Sequence, residues 1–562
     1  MKGKIVAVLI LLLVMLSDTA WAVSECEELQ FITVQTQVLP KWQKPELSLQ
    51  NSGSIQDEPL YQDILKMFQQ RLDRVDISSH ELNENNGGKE KLLYYVTKVL
   101  YDHPEIYYAR TGIGYYRYPD GRIISAVPMY IEELLTDDAQ AEMDQNVIEA
   151  MELVADQGLT DTDKALILHD YLVEQVTYNW EVDVALRKGE SMEEVEKRTG
   201  VRIYTAYGAL VEGDAVCQGY ALAYKLLLDR CGVDCKVVSS DRMNHVWNLV
   251  EIDRNWYHVD ATWDDPVPDL PGYCGHGNFL RSDEGIKGDG PERGHYGWTV
   301  PDGITVSPEF EPTGLFRETN NRMYYNKGSY YYLESRYGKG NIWKANSLTD
   351  KAPELVIDEI QLFLHQFDGR YYNQYGIVWH EGMLYYVDKN KNLICLDLAD
   401  QSYATLGVIP FEAENSRDNV YSSNYDTIGL YYNSQTGEIV AVSRTRPDME
   451  LAHVQLKEYP VKWDQMDKYT TALAGCVQRD DAVLLAGLIW AEEGQQASLM
   501  TAFYQEGRMV RVQMCSSADW TSGLNVLELD TTGYPAYDRV ALFLLSDSAA
   551  PLCGAWQSSI TE

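Results

Sequence analysis

Positive charge is scarce in this chain: 47 lysines and arginines face 85 aspartates and glutamates, a formal net charge of -38 at pH 7. So acidic a surface repels phosphate backbones and anionic headgroups, which excludes nucleic acid as a partner. Long apolar runs are missing too. Beyond residue 22 no stretch reaches the roughly 20 apolar residues that a bilayer-crossing helix needs, so no membrane span is expected after signal cleavage. The nine cysteines recur at no fixed spacing, which argues against a disulfide scaffold. Their odd number leaves at least one thiol free or paired outside the chain.

What is present begins with a targeting pattern. Lys2 and Lys4 precede an apolar run from Ile5 to Leu16, and Ala20, Trp21 and Ala22 give small-x-small spacing, so residues 1–22 read as a secretory signal peptide. Cys26 follows closely, but Glu25 stands where a lipidated cysteine needs a small neighbour. A secreted or cell-surface protein is expected. At about 150 residues per domain, the length predicts roughly three or four domains.

Residues 23–154 read as an N-terminal α+β region, with helices near Leu60 to Arg71 and Lys89 to Tyr101 and short strands around the Pro119, Asp120, Gly121 turn. Residues 155–312 open with Thr160 and Asp163, a capping-box pair, ahead of Ala165, Leu168, His169, Leu172 and Val176 at helical spacing. A second helix is predicted from Cys217 to about Arg230, ended by Gly232. A hairpin follows, Val246 to Ile252 and Trp256 to Thr262, across Asp253, Arg254 and Asn255. Residues 313–465 are tyrosine-rich, with alternating strands paired across turns, and predict a propeller-like β domain. Residues 466–562 carry strands and turns at the spacing of a β-sandwich.

The chemistry concentrates in AVCQGYALAYKLLLDRCG, residues 215–232, and NHVWNLVEIDRNWYHVDATWDDP, residues 244–266. A cysteine opens an apolar helix, and a histidine and an aspartate follow on two strands, the residue order of a thiol acyl-transfer triad. Cys217, His245 and Asp260 are the predicted nucleophile, base and orienter. A thiol attacks as thiolate and needs help from a helix N-terminus and an imidazole, and the first turn of the helix also offers N–H groups to an oxyanion. Mirror pairing about Arg254 sets Asp260 opposite Asn248, which leaves the register open by a few residues. His258, which shares strand parity with Asp260, is the rival base, with a structural role favoured, and His169 reads as a packed core histidine. Cys274, His276 and His295 match no paired-ligand spacing and lack a fourth ligand, so no metal is expected, nor any cofactor. Cys231 and Cys235 read as packing residues.

These segments resemble the transglutaminase-like superfamily, whose core shares the papain-like cysteine protease fold. The likeness rests on DKALILHDYLVEQVTYN from Asp163, YGALVEGDAVCQGYALAYKLLL from Tyr207, the hairpin segment, NFLRSD from Asn278 and HYGW from His295, and is closest to bacterial secreted members. The resemblance implies an α+β papain-like core in which Cys217 is the nucleophile, His245 the general base and Asp260 the orienting carboxylate. Trp247 and Trp263 flank the triad as walls of an acyl pocket, with core packing the alternative, and Gln218 and Tyr207 are oxyanion-donor candidates. The segment from Asp102 resembles the region preceding such cores, and the C-terminal units resemble accessory β modules of clostridial-type surface proteins.

The expected function is a secreted transglutaminase-like cysteine acyltransferase or peptidase. It would form a thioester at Cys217 on a protein or peptide carboxamide or peptide bond, cell-envelope proteins included, and resolve it with amine or water. The alternative is a non-enzymatic surface-binding or assembly protein that uses the β-rich C-terminal half.

Overall fold

The computed structural model describes residues 29–35 and, with interruptions of which 412–426 and 456–470 are the longest, residues 55–559. The signal segment and Cys26 lie outside the described residues. The first unit is an antiparallel sheet of order β1-β3-β4-β2, from β1 (Gln30–Gln35), β2 (Val75–Asp76), β3 (Ala109–Arg117) and β4 (Ile123–Tyr130), with α1 (Pro59–Gln69) and α2 (Gly88–Asp102). The two predicted helices and the turn between β3 and β4 fall where the sequence sets them. A further helix, α3 (Asp137–Glu152), is capped by Thr136, whose hydroxyl accepts from Ala139 N.

The next helix, α4 (Asp161–Gln175), starts with the predicted capping box: Asp163 N donates to Thr160 Oγ1 at 3.2 Å and Thr160 N to Asp163 Oδ2 at 2.8 Å. The chain then forms β5 (Thr177–Tyr178), α5 (Trp180–Arg187), α6 (Met192–Thr199) and β6 (Asp214–Ala215), with β5 and β6 paired in parallel. Next comes α7 (Cys217–Arg230), followed by Gly232 in the left-handed region at φ 81°. Residues 218 to 228 of α7 are all buried, and each fully buried leucine among them contributes on the order of 1.5–3 kcal/mol. Tyr224 donates its hydroxyl to Ala165 O on α4 at 2.8 Å, and Asn248 Nδ2 donates to Ala221 O at 2.9 Å, tying α7 to its neighbours on both sides.

An antiparallel sheet of order β7-β8-β9 covers α7, from β7 (Cys235–Ser240), β8 (His245–Ile252) and β9 (Asn255–Val259). The β8–β9 turn is two residues long, Asp253 and Arg254, both with positive φ, as the tightest hairpin turn requires. Asn248 therefore pairs with Val259, one residue off the register that mirror pairing about Arg254 predicts. The strand ends there, and a one-turn helix, α8 (Ala261–Asp264), begins.

The apolar core does not break between the first unit and this one: a single cluster of buried side chains runs from Leu60 through α4 and α7 to Leu348. Beyond it the chain is β-rich. Three antiparallel meanders follow one another, Tyr324–Gln361, Ile377–Val408 and Ile428–Gln455, and two further sheets are built from strands between Thr471 and Ser559.

The N-terminal turn of α7 is set by a close approach. A Cβ on Gly219 would lie 2.7 Å from Ile203 O and 2.8 Å from the Ala215 Cβ. Gly219→Ala should therefore cost about 1–3 kcal/mol through overpacking, read as a lowered thermal midpoint.

Candidate active site

Cys217 is the first residue of α7 and is half-buried. Its N-cap, Val216, supplies no side-chain acceptor, so the first-turn N–H groups have no side-chain cap and the thiol sits in the turn that carries the positive end of the helix dipole. β8 starts at His245, whose imidazole pKa is raised in part by the neighbouring Cys217 side chain on one flank. On the other flank His245 Nε2 meets Asp260 Oδ2 at 2.6 Å. With Nε2 so engaged, Nδ1 is the nitrogen left to face the thiol.

Asp260 sits just past β9 as the N-cap of α8. Its Oδ1 accepts from Thr262 N at 3.0 Å and from Trp263 N at 3.3 Å, and its Oδ2 also meets His295 Nε2 at 2.7 Å. The carboxyl group is 1% exposed. Burial alone pushes its pKa up, yet His245 and His295 more than offset that and hold it well below the usual carboxylate range. Burial likewise pulls the His245 pKa down, but Asp260 and Cys217 outweigh it and raise the imidazole to about 10.

The three residues singled out as a triad thus converge. His295, which the sequence offered as a metal-ligand candidate and as the start of the HYGW segment of the family resemblance without a role in the triad, is a fourth member: it reaches Asp260 from 35 residues downstream. His258 takes a structural place. It is fully buried, its Nδ1 accepts from Trp247 Nε1 at 3.0 Å, and its Nε2 meets Asp283 Oδ1 at 2.9 Å.

The two tryptophans part company. Trp247 is 0% exposed and stacks on His245, ring centroids 5.7 Å apart, so it supports the imidazole from within and offers substrate no surface. Trp263 is 43% exposed and lies 5.5 Å from the His245 ring and 4.3 Å from that of His295. Neither oxyanion-donor candidate points its donor at the thiol. Gln218 gives its amide N–H to Tyr204 O at 2.9 Å, and Tyr207 gives its hydroxyl to Glu142.

Among the described residues two groups of side chains converge as metal ligands do. One is His245, Asp260 and His295; the other is His169, Asp170, Cys274 and His276, away from the thiol. His169 is buried as expected, but in a polar cluster. Cys231, Cys235, Cys274 and Cys395 are all free. Among the described residues no helix is long and apolar enough to cross a membrane.

The site therefore sets a thiol at a helix N-terminus near an imidazole that is held by a buried carboxylate at the end of the adjoining sheet. Residues 151–261 match the family model described as transglutaminase-like superfamily, so this chain carries a transglutaminase-like core, joined to a β-rich, multidomain remainder. No curated protein matches the chain. Similar solved structures include a chain titled as a crystal structure of a TGase, at 16% identity and TM-score 0.19, covering 26% of this chain and 43% of that one. They also include the red sea bream transglutaminase, at 10% identity and TM-score 0.14, over 80% of this chain and 69% of that one. A third is an endo-arabinase from Bacteroides thetaiotaomicron, at 12% identity and TM-score 0.15, over 43% and 93%. The chain spans less than half the length of the first of these.

The opposite shifts of His245 and Asp260 set a pH dependence. A raised histidine stabilises the fold fully below its unfolded pKa of about 6.5 and loses that contribution as pH rises through about 10; a depressed aspartate contributes above about 3.9 and loses it only in strong acid. Between pH 7 and pH 10 the thermal midpoint of the wild type should therefore fall more than that of His245→Ala; parallel declines would refute the coupling.

Proposed function

We propose that the protein is a secreted or cell-surface thiol acyl-transfer enzyme of transglutaminase-like chemistry. The reading rests on one observation above all: His245, with Cys217 among the groups that raise its pKa, is held by a buried Asp260 that also meets His295. The targeting pattern in residues 1–22 supports the extracellular setting. We read the three meanders as a propeller-like fragment and the last two sheets as a sandwich, both accessory to the core.

Cys217 passes its proton to His245 Nδ1 and attacks the carbonyl carbon of a carboxamide or peptide bond. Asp260 keeps the Nε2–H directed at itself and stabilises the imidazolium that forms. Charge on the carbonyl oxygen falls to backbone N–H groups at the start of α7. As the tetrahedral intermediate collapses, the C–N bond breaks and His245 returns the proton to the departing ammonia or amine, leaving an S-acyl thioester. An amine or a water then gives its proton to His245, adds to the thioester and expels the Cys217 sulfur. Trp263, the exposed aromatic beside the imidazole, is the side chain placed to meet the acyl portion of a protein or peptide substrate.

Cys217→Ala should abolish both iodoacetamide incorporation near neutral pH and turnover of glutamine-containing peptides, and His245→Ala should slow alkylation by about 10²-fold or more. Full turnover by Cys217→Ala would refute the reading. Running the peptides with and without a primary amine separates cross-linking from hydrolysis. Trp263→Ala should raise KM with the fold intact, whereas Trp247→Ala should cost about 3–5 kcal/mol of stability, as thermal melts of the two variants would show.

A further inference from the structure

His169 and Asp170 lie in the second half of α4, and Cys274 and His276 lie in the loop after α8; all four side chains are at most 1% exposed. One atom from each falls within 4.8 Å of the others. His169 Nδ1 and His276 Nε2 each stand 2.9 Å from Asp170 Oδ1, and Cys274 Sγ stands 3.5 Å from that oxygen and 3.9 Å from His276 Nε2.

The outward side of this cluster fixes what faces inward. His169 Nε2 meets the Asp264 carboxylate at 3.2 Å and His276 Nδ1 meets Thr319 O at 3.2 Å, so each outer nitrogen donates its N–H away from the centre. In the neutral rings the two inner nitrogens then present lone pairs to an oxygen of Asp170. Two imidazole nitrogens, a carboxylate oxygen and a thiol thus converge in a dry site, a donor set that protons on the inner nitrogens or a bound cation can hold together. The outer partners are themselves held. Asp264 Oδ1 accepts from Asn278 N at 2.9 Å and Asn278 Nδ2 at 3.0 Å, and Asp170 Oδ2 accepts from Met323 N at 3.2 Å. A far-side acceptor on each histidine and a far-side donor on the carboxylate are how proteins orient metal ligands.

We propose that His169, Asp170, Cys274 and His276 form a closed tetrahedral site for a divalent transition metal, zinc, that ties α4 to the loop after α8. Bonds of about 2.0–2.3 Å place tetrahedral ligand atoms roughly 3.3–3.8 Å apart, so the two 2.9 Å separations at Asp170 Oδ1 need to open by a few tenths of an ångström, while Cys274 Sγ already stands near that range at 3.5 and 3.9 Å. Thiolate and imidazole donors suit zinc and not calcium or magnesium. Metal entry releases the Cys274 thiol proton and any proton on the inner histidine nitrogens to solvent, and thiolate plus carboxylate then balance the two positive charges. With four protein ligands and no exposed edge, the site is structural. Sequence spacing gave no metal because the missing ligands sit 104 and more positions upstream of Cys274, in a helix whose face reads as apolar. The proposal is independent of the acyl-transfer reading, since none of the four side chains belongs to the triad.

The test uses the full chain, produced without a histidine tag in zinc-supplemented medium. Elemental analysis should find about one zinc per chain in the wild type and less than a tenth of that in the double variant Cys274→Ser, His276→Ala. Stripping with a chelator should lower the thermal midpoint and added zinc should restore it. Cobalt added to stripped wild type should give tetrahedral ligand-field bands in the visible and a thiolate charge-transfer band in the near ultraviolet, the latter lost in Cys274→Ser. If the double variant does not fold, the cobalt spectrum of the wild type decides alone. Wild type without zinc and without the cobalt bands, or a charge-transfer band that survives Cys274→Ser, overturns the proposal.

Discussion

The core is organised around one buried negative charge, the carboxylate of Asp260. An ion taken out of water costs several kcal/mol unless its lone pairs are met, and here four donors from three places meet them. Thr262 and Trp263 supply backbone N–H groups from the first turn of α8, His245 comes from the start of β8, and His295 arrives from a later loop. The backbone at the same residue is also held, since Asp260 N donates to Asn278 O at 3.0 Å. The hairpin register, the start of α8 and the path of the chain to residue 295 are thus all conditions of burying that one group. The imidazole orientation that the thiol requires follows from meeting them.

A short helix carries this constraint to a second polar centre. Asp260 opens α8 and Asp264 closes it, one turn apart; the first holds His245 and His295, the second holds His169 and Asn278. So the Asp260 carboxylate and the outer partner of the buried His–Asp–Cys cluster are two ends of the same short turn. Movement of α4 relative to α8 would reach His245 through the His169–Asp264 contact, one turn of backbone and the Asp260–His245 contact. This is also why Trp247 and Trp263, both beside the triad, differ so sharply in exposure. Trp247 belongs to the sheet that packs inward, whereas Trp263 projects from α8 where the chain turns toward solvent.

How much of this is legible in the residues follows from distance along the chain. The capping box at Thr160 and the burial of α7 are local patterns and readable, whereas Cys217, His245 and Asp260 span 43 positions and are legible only through their order and flanking residues. The hairpin register differs by one residue because Asp253 and Arg254 both adopt positive φ, a conformation these residue types accept but do not announce. His295 on Asp260, and Asp170 between His169 and His276, are pairings across 35 and 106 positions that no spacing rule reports. His169 shows the general difficulty: at helical spacing among leucines it reads as core, and it is core, yet both its nitrogens are engaged by carboxylates. The oxyanion donors stay unreadable for the same reason, since a first-turn backbone N–H has no letter in the sequence.

The scatter of the Asp260 ligands along the chain has a consequence for biosynthesis. Cys217 is made first, His245 and Asp260 follow, and Asn278 and His295 come last. Until the ribosome has passed residue 295, Cys217 belongs to a chain whose Asp260 carboxylate has not gained all its partners. Closure of this polar centre is thereby deferred until late in the synthesis of the core.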